Sequence, residues 1–595
     1  MLRVVVLVKQ VPKAEAMALD DKGRLRRDGV ELEINAYCRR AVSKGVELVR
    51  EHGGECIVLT LGPPSAADAL REALAWGADR AILVSDPALA GSDTLATARA
   101  VTSAMRRLGD IDLVLTGRNS VDADTGQVAP EVAELLGLPF IGGARHITLD
   151  GDRLAARCEH DDGWSEREVQ LPAVVSCAER LCDPAKVKPH VWSGVPDERV
   201  ERLSTADLGD GPWGQAGSPT RVGEIRIHEV DRMRRMLVGP VEDQVTELMR
   251  ILDQRQALCD SDAIADRPRV PAAPEDASRM IAVVLEPGRE AVAEELLGAA
   301  AELAGDAAAR VVALDAGSAD PAWLARCGAD RVIRLVGSAV EEDVAATIAD
   351  WCAAQPPWAV LFSATMWGRE VAARTAARLG AGLTGDVIEL SRAGDRLVGW
   401  KPAFGGRLVA AIRSTSPVQL VTVRPGVLPT FAPRDPVAPT VDEVAVAARS
   451  RLRIGAARRD DDLEVLARAP AVIGVGSGVE PEEYDLLEPL RAALGAELAG
   501  TRKVTDRGWL PRDRQVGLTG RAIAPRLYVA IGLSGKFNHS VGIRQAGTVV
   551  AINRDPDAFV FDHADVGLVA DWRDVVRPLA AASARARGLE LDPAR

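Results

Sequence analysis

The chain has 595 residues, 47% hydrophobic and 27% charged, the composition of a globular protein with room for two to four domains. Its formal net charge of −13 disfavours nonspecific nucleic-acid binding, which relies on an excess of Lys and Arg. Eight cysteines without a CxxC pair, and no histidines at metal-ligand spacing, disfavour a zinc or iron–sulfur centre.

No apolar run approaches the ~20 residues of a membrane helix, and Val4 to Val8 is too short for a signal peptide. A cytoplasmic protein with reduced thiols and no transmembrane segment is therefore expected. Leu2 to Val8 is a continuous β-branched run, which predicts a strand buried on both faces of a parallel sheet. Helical and strand patterns then alternate: helix at 41–51, strand at 55–61, helix at 66–76, strand at 80–84, helix at 94–108 and strand at 113–116. This series predicts a doubly wound α/β sheet.

The last of these strands runs into Gly117-Arg118-Asn119-Ser120-Val121-Asp122-Ala123-Asp124-Thr125-Gly126-Gln127, ahead of a helix over 128–136. Such a turn, with the amides of a helix N-terminus, suits an anion. Asp124 and Thr125 would serve there as ribose contacts or, in the plainer alternative, as helix caps. Residues 179–200 form a polar, proline-punctuated excursion carrying Lys186 and Lys188. Residues 255–279 lack any sustained apolar period and are expected to be a linker.

Beyond the linker the pattern restarts. Leu74-Ala75-Trp76-Gly77-Ala78-Asp79-Arg80 recurs as Leu324-Ala325-Arg326-Cys327-Gly328-Ala329-Asp330-Arg331, and Leu136-Gly137 recurs as Leu379-Gly380. Two distant landmarks shifted by about 250 residues indicate a duplicated domain. In the second copy, about 280–430, the polar turn is replaced by Thr365-Met366-Trp367-Gly368-Arg369-Glu370, so this copy is expected to be scaffold. Residues 431–464 turn to Pro, Arg and Asp and are expected to be a second linker.

A third domain is expected over 465–595. A strand at 471–473 leads to Gly474-Val475-Gly476-Ser477-Gly478, a glycine loop that is not GxGxxG. Gln515, Gly517, Thr519 and Gly520 form a polar turn. The runs Leu527 to Ile531 and Thr548 to Ile552 end in Gly532-Leu533-Ser534-Gly535, with Asn538 and His539 beyond, and in Asn553 and Asp555. Strand ends of this kind build ligand crevices in open α/β sheets, and a nucleotide-sized ligand is expected.

The order GLTG, AP.LY, GLSG..NH, AIN.D, ADVGLVAD resembles the FAD-binding domain of the electron transfer flavoprotein α subunit. That resemblance implies Thr519 at the flavin N5 edge and His539 by the pyrimidine carbonyl, where negative charge gathers on reduction. It also implies that Gln515, Ser534, Asn553 and Asp571 hold the ribityl, pyrophosphate and adenosine parts, with Gly517, Gly520 and Gly535 in the cradling turns. Two departures stand out: Ser477 occupies the position of the family's usual arginine, and Asn538 that of its glutamine. Lys401-Pro402-Ala403-Phe404-Gly405-Gly406 and Thr422-Val423-Arg424-Pro425-Gly426 match the same subunit, with Arg424 either a cofactor contact or a structural ion pair.

VLVKQVP, Asn35-Ala36-Tyr37-Cys38, Leu61-Gly62-Pro63 and D.DTGQV.PE resemble the β subunit over most of residues 1–240. The resemblance implies a second nucleotide, AMP or a second FAD, at Asn35, Asp122, Asp124, Thr125, Gly126 and Gln127. The wording of D.DTGQV.PE is closer to the electron-bifurcating members. It also makes 179–200 a docking region for dehydrogenases. The expected fold is thus two related doubly wound Rossmann-like domains plus a C-terminal α/β FAD-binding domain, with 1–254 β-like. The expected function is a fused electron carrier. Its donors would be flavin-dependent dehydrogenases of the acyl-CoA or dimethylglycine dehydrogenase type, and its acceptor an electron transfer flavoprotein-quinone oxidoreductase or similar protein. A self-contained flavin-dependent oxidoreductase and a nucleotide-binding regulatory module are the alternatives. No nucleophile elbow or His–Asp cluster favours the former.

Overall fold

The computed structural model describes residues 1–13, 31–161, 163–227, 232–258, 267–403, 408–435, 438–459, 465–466, 469–511, 514–517, 520–521 and 523–589. The chain divides into two compact units, Met1–Ile227 with Pro268–Arg458, and His228–Arg267 with Arg459–Arg595.

The first unit contains the duplication. Seven parallel strands of its first sheet lie in the order Val200–Leu203, Arg80–Val84, Gly54–Leu61, Leu2–Leu7, Leu113–Gly117, Ala173–Cys177, Phe140–Asp150. Its second sheet has Thr440–Val446, Arg331–Gly337, Ala309–Asp315, Arg279–Leu285, Ala359–Ser363, Gln419–Val423 and Leu383–Val387 in the same order and sense. Val4, Val5 and Val6 are wholly buried because helices cover both faces, as the uninterrupted β-branched run requires.

Local landmarks repeat with the topology. Gly77 and Gly328, at φ 130° and 136°, end the helices Ala67–Trp76 and Pro321–Cys327. Two residues later Asp79 and Asp330 each accept a backbone N–H from the neighbouring strand, of Cys56 and Val311, both at 2.8 Å. Gly137 and Gly380 close the helices Val128–Leu136 and Met366–Leu379 in the left-handed conformation.

The copies part after their last shared strand. The first extends its sheet with antiparallel Arg153–Glu159 and Gly163–Gln170. The second sends Glu389–Ala393, Arg396–Ala403 and Leu408–Ser414 into a separate antiparallel sheet, which Thr220–Ile227 completes.

The second unit is a six-stranded parallel sheet in the order Arg235–Leu237, Val566–Val569, Thr548–Asn553, Leu527–Ile531, Ala471–Val475, Ala496–Gly500. Apart from the first strand, this is the 2-1-3-4-5 order of a doubly wound sheet, with its switch point between Ala471–Val475 and Leu527–Ile531.

Three boundaries differ from the sequence expectation. Residues beyond Ile227 do not continue the first domain to 254: Arg235–Leu237 pairs with Val566–Val569, and Val241–Gln254 buries Val245, Leu248, Ile251 and Leu252 in a core shared with Val575, Val576 and Leu579. Each such aliphatic side chain contributes ~1.5–3 kcal/mol on burial, which outweighs sequence proximity. Arg232 fastens the segment by donating to Asp565 at 2.8 Å and to the Ala546 carbonyl at 2.9 Å. The expected linker 255–279 pairs at Arg269 with Ala432 in the first unit. The expected linker 431–464 contains the strands Thr440–Val446 and Arg453–Arg459, which form sheet edges and so carry the polar residues that disguised them.

Candidate functional site

The first crevice lies at the switch point of the first sheet, where the chain leaves Leu2–Leu7 on one side and Leu113–Gly117 on the other. Lys9 bridges the two strand ends, donating to both Asp122 carboxylate oxygens at 2.8 Å and to Ser120 Oγ at 3.3 Å. Burial opposes ionisation of Asp122, but the ammonium of Lys9 holds its pKa below the ordinary value. Asn35 is fully buried and clamps the loop from beneath: its Nδ2 donates to the Asn119 carbonyl at 2.8 Å and its Oδ1 accepts from Val121 N at 3.1 Å. Asn35 and Asp122 therefore shape the loop rather than project from it.

Asp124 has φ 47° and Gly126 φ 64°, so the loop reverses twice before the helix. Asn119 Nδ2 donates to Asp124 Oδ1. The helix Val128–Leu136 has Gln127 at its N-cap position and no side-chain cap, so Asp124 and Thr125 are not caps. Thr125 is half-buried in the same turn.

Gln127 and Glu131 are both buried behind it. Thr94 Oγ1 hydrogen-bonds Gln127 Oε1 at 2.9 Å and Glu131 Oε1 at 3.0 Å. One hydroxyl proton cannot serve both oxygens at once, and a protonated Glu131 carboxyl would supply the second. Burial, reinforced by the nearby Asp93, pushes the Glu131 pKa up to about 8, consistent with that proton being present at neutral pH. Gln127 Nε2 and Glu131 Oε2 are buried without a hydrogen-bond partner among the described residues.

The second copy closes the same station. Thr365 Oγ1 accepts from Gly368 N at 3.0 Å and caps a helix that begins at once. Arg424 pairs with Asp386 through both Nη2 and Nε, so within this unit it is a structural ion pair rather than an open contact. Phe404, Gly405 and Gly406 lie outside the described residues.

In the second unit, two glycine turns meet at the switch point. Gly476 N donates to the Ile531 carbonyl and Gly478 N to the Gly532 carbonyl, both at 3.0 Å. A Cβ on Gly476 would stand 2.3 Å from the Gly532 oxygen, and one on Gly535 2.2 Å from Val560 Cα. These glycines are thus required by the close approach of the turns themselves. The arrangement fits a dinucleotide, whose phosphates are met at such strand ends by backbone amides.

Ser534 is exposed on this rim. Asn553 ties the rim together, its Nδ2 donating to the Leu533 carbonyl at 3.0 Å while Oδ1 accepts from Asp555 N at 2.9 Å. Asp571 caps the helix Trp572–Ala586, accepting from Arg573 N at 3.0 Å. Gln515 is buried, with Oε1 accepting from Thr505 Oγ1 at 2.8 Å, and Gly517 and Gly520 share its turn, Gly520 N donating to the Gly517 carbonyl at 3.0 Å. Thr519 lies outside the described residues.

His539 is not placed as a cation. Its Nδ1 donates to the Val516 carbonyl at 3.1 Å, and its Nε2 accepts from Tyr528 O–H at 2.8 Å. Burial pushes its pKa down to about 4, so the ring is neutral and holds the Gln515–Gly517 turn to the strand Leu527–Ile531. A positively charged ring at this position does not fit that geometry. Tyr528 and Glu131 both stood within recognised motifs, yet only their spatial partners reveal what they do.

No helix among the described residues is long and apolar enough to cross a membrane. Residues 23–198 and 286–449 match the Electron transfer flavoprotein domain, and residues 465–544 match the Electron transfer flavoprotein FAD-binding domain. The chain is 35% identical over 245 residues to the electron transfer flavoprotein subunit beta of Clostridium acetobutylicum, covering 41% of this chain and 94% of that protein. It is 34% identical over 250 residues to the subunit alpha of Thermoanaerobacterium thermosaccharolyticum, covering 41% of this chain and 76% of that protein. It is also 34% identical over 225 residues to the caffeyl-CoA reductase-Etf complex subunit CarD of Acetobacterium woodii, covering 37% of this chain and 86% of that protein. With a duplicated α/β domain, a FAD-binding domain and matches to both kinds of subunit, the chain belongs to the electron transfer flavoprotein family, its β-like and α-like parts fused in one polypeptide.

Proposed function

We propose that this chain carries electrons from flavin-dependent dehydrogenases, of the acyl-CoA or dimethylglycine dehydrogenase type, to an electron transfer flavoprotein-quinone oxidoreductase or a similar acceptor. In this reading residues 1–254 are the β-like part, its segment beyond Ile227 folded into the second unit, and 280–430 with 465–595 are the α-like part. The observation that carries it is the union in one polypeptide of a FAD-binding domain with a second nucleotide-type crevice.

FAD, when bound, supplies acceptance of an electron pair and release of single electrons. The residues that would hold it are Gln515, Gly517, Thr519, Gly520, Ser534, Gly535, Asn553 and Asp571. Neutral His539, buried with Tyr528, supports their turn without adding charge. The crevice of Asn35, Asp122, Asp124, Thr125, Gly126 and Gln127 would hold AMP or a second FAD.

The test is denaturation of the purified chain and chromatography of the nucleotides released. One FAD with AMP, or two FAD, is expected, and deletion of residues 465–595 should remove the flavin of the second unit. A full-length chain that releases no FAD overturns the proposal.

A further inference from the structure

The loop 118–127 of the first copy faces charged groups of the second. Asp386, 1% exposed, accepts from Arg369 Nη2 at 3.0 Å and from Arg424. Lys401 comes from the strand Arg396–Ala403, is 8% exposed, and its Nζ is buried with no hydrogen-bond partner among the described residues. Burial lowers the Lys401 pKa, while Asp386 and Asp124 oppose that shift through their charge. Asp124 also acts electrostatically on Arg369 and Arg424, so all five groups belong to one cluster. Asp161 acts on Arg369 as well, ahead of Asp124, and lies 3.7 Å from Arg118. With both included, four cations face three carboxylates among the described residues, which leaves one positive charge in excess.

Among the described residues two further donors here lack acceptors: Gln127 Nε2 and Arg369 Nε. They belong to opposite copies. Gly385 keeps the Gln127 amide in place, since a Cβ there would meet Nε2 at 2.5 Å, and Gly126 brings the loop alongside Arg369, with a Cβ 3.9 Å from its Cδ. Buried donors without acceptors are costly, and a buried ammonium more so than an amide. The second copy, expected from sequence to be scaffold, therefore presents a cationic and donor-rich wall to the nucleotide loop of the first.

We propose that Lys401, with Gln127 and Arg369, binds the phosphoryl oxygens of the nucleotide held by the loop 118–127, making the second copy half of that site. This rests on the second-nucleotide reading above. The chemistry required is a phosphate or pyrophosphate group, whose oxygens accept from all three donors and neutralise the excess charge.

The experiment compares the full-length protein with Lys401→Met and Lys401→Arg. It measures nucleotides released on denaturation after long dialysis, and thermal shift on adding AMP, inorganic pyrophosphate or uncharged adenosine. Lys401→Met should retain the second nucleotide about tenfold less well and lose the AMP and pyrophosphate shifts, while the FAD of the second unit stays bound. Lys401→Arg should restore part of the retention. With no ligand bound, Lys401→Met should melt higher than the parent, because an unpaired buried charge is removed.

A second nucleotide held equally well by parent and Lys401→Met overturns the inference and leaves the second-nucleotide reading standing. A parent that holds no second nucleotide, yet shows a pyrophosphate shift that needs Lys401, overturns that reading and supports an anion site for free phosphate. Absence of both overturns both.

Discussion

Counting back the same distance from the left-handed glycines that end the helices Val128–Leu136 and Met366–Leu379 reaches Glu131 in one copy and Arg374 in the other. Both are buried almost completely. Arg374 gathers its counter-charges: Nη1 donates to Glu134 at 3.0 Å, Nε to Glu370 at 3.3 Å, and Nη2 to the Leu138 carbonyl at 3.3 Å. Among the described residues Glu131 has no cation within hydrogen-bond distance, and burial raises its pKa to about 8, which favours the protonated form at neutral pH. One backbone plan thus supports two solutions to burying a charged residue type. The paired one joins the copies, since Glu134 lies on the helix Val128–Leu136. The protonated one leaves polar atoms without partners among the described residues, beside the loop 118–127.

The largest change expected from breaking this contrast is at Arg374. Arg374→Met removes the cation shared by Glu134 and Glu370, leaving Glu134 with Arg378 alone, and should cost roughly 3 kcal/mol in chemical denaturation. Stability equal to the parent would mean that the pair does not hold the copies together.

Glu131→Gln should act in the opposite direction and only above pH 4.5. The folded-state pKa of about 8 lies above the ordinary 4.5, so the stability present below pH 4.5 is lost as pH rises through 8. The glutamine removes that loss. Relative to the parent it should gain on the order of 1.4 kcal/mol for each pH unit between those limits, with no gain below pH 4.5. A stability difference that does not vary with pH would show that Glu131 is ionised.

The smallest effect is at the caps. Thr365→Ala should cost ~1 kcal/mol, the worth of its bond from Gly368 N. Gln127→Ala, at the uncapped counterpart, should change nucleotide retention more than helix stability. Equal stability losses at the two positions would erase the distinction between a closed and an open station.

Much of this fold was legible in the residues. Continuous β-branched runs such as Val4 to Val6 marked strands covered on both faces, and the recurrence around Gly77 and Gly328 marked the duplication because a φ near 130° restricts that position to glycine. Edge strands were not legible. Thr440–Val446 has one neighbour and a largely exposed sequence, so neither composition nor burial period singled it out.

Of the candidate sites, the loop 118–127 was visible through its polar glycine-bearing turn, whereas Lys401 was visible only as part of a motif and not as a neighbour of that loop. Its neighbours Asp386 and Asp124 belong to another strand and to the other copy, which only three-dimensional placement brings together. His539 was legible as a position but its neutral state was not, because its burial and its bond to Tyr528 depend on the packing of a strand eleven residues earlier.

The segment Arg235–Gln254 also constrains when the molecule can be completed. Arg232 and Asp565 are separated by 333 positions, so during synthesis the arm leaves the ribosome long before the strand it will flank exists. Meanwhile Val245, Leu248, Ile251 and Leu252 have no apolar surface of their own unit to cover them. The second unit must therefore form late and by long-range closure, a slow step by topology, and a nascent chain stalled before residue 566 would present a sticky amphipathic helix to chaperones.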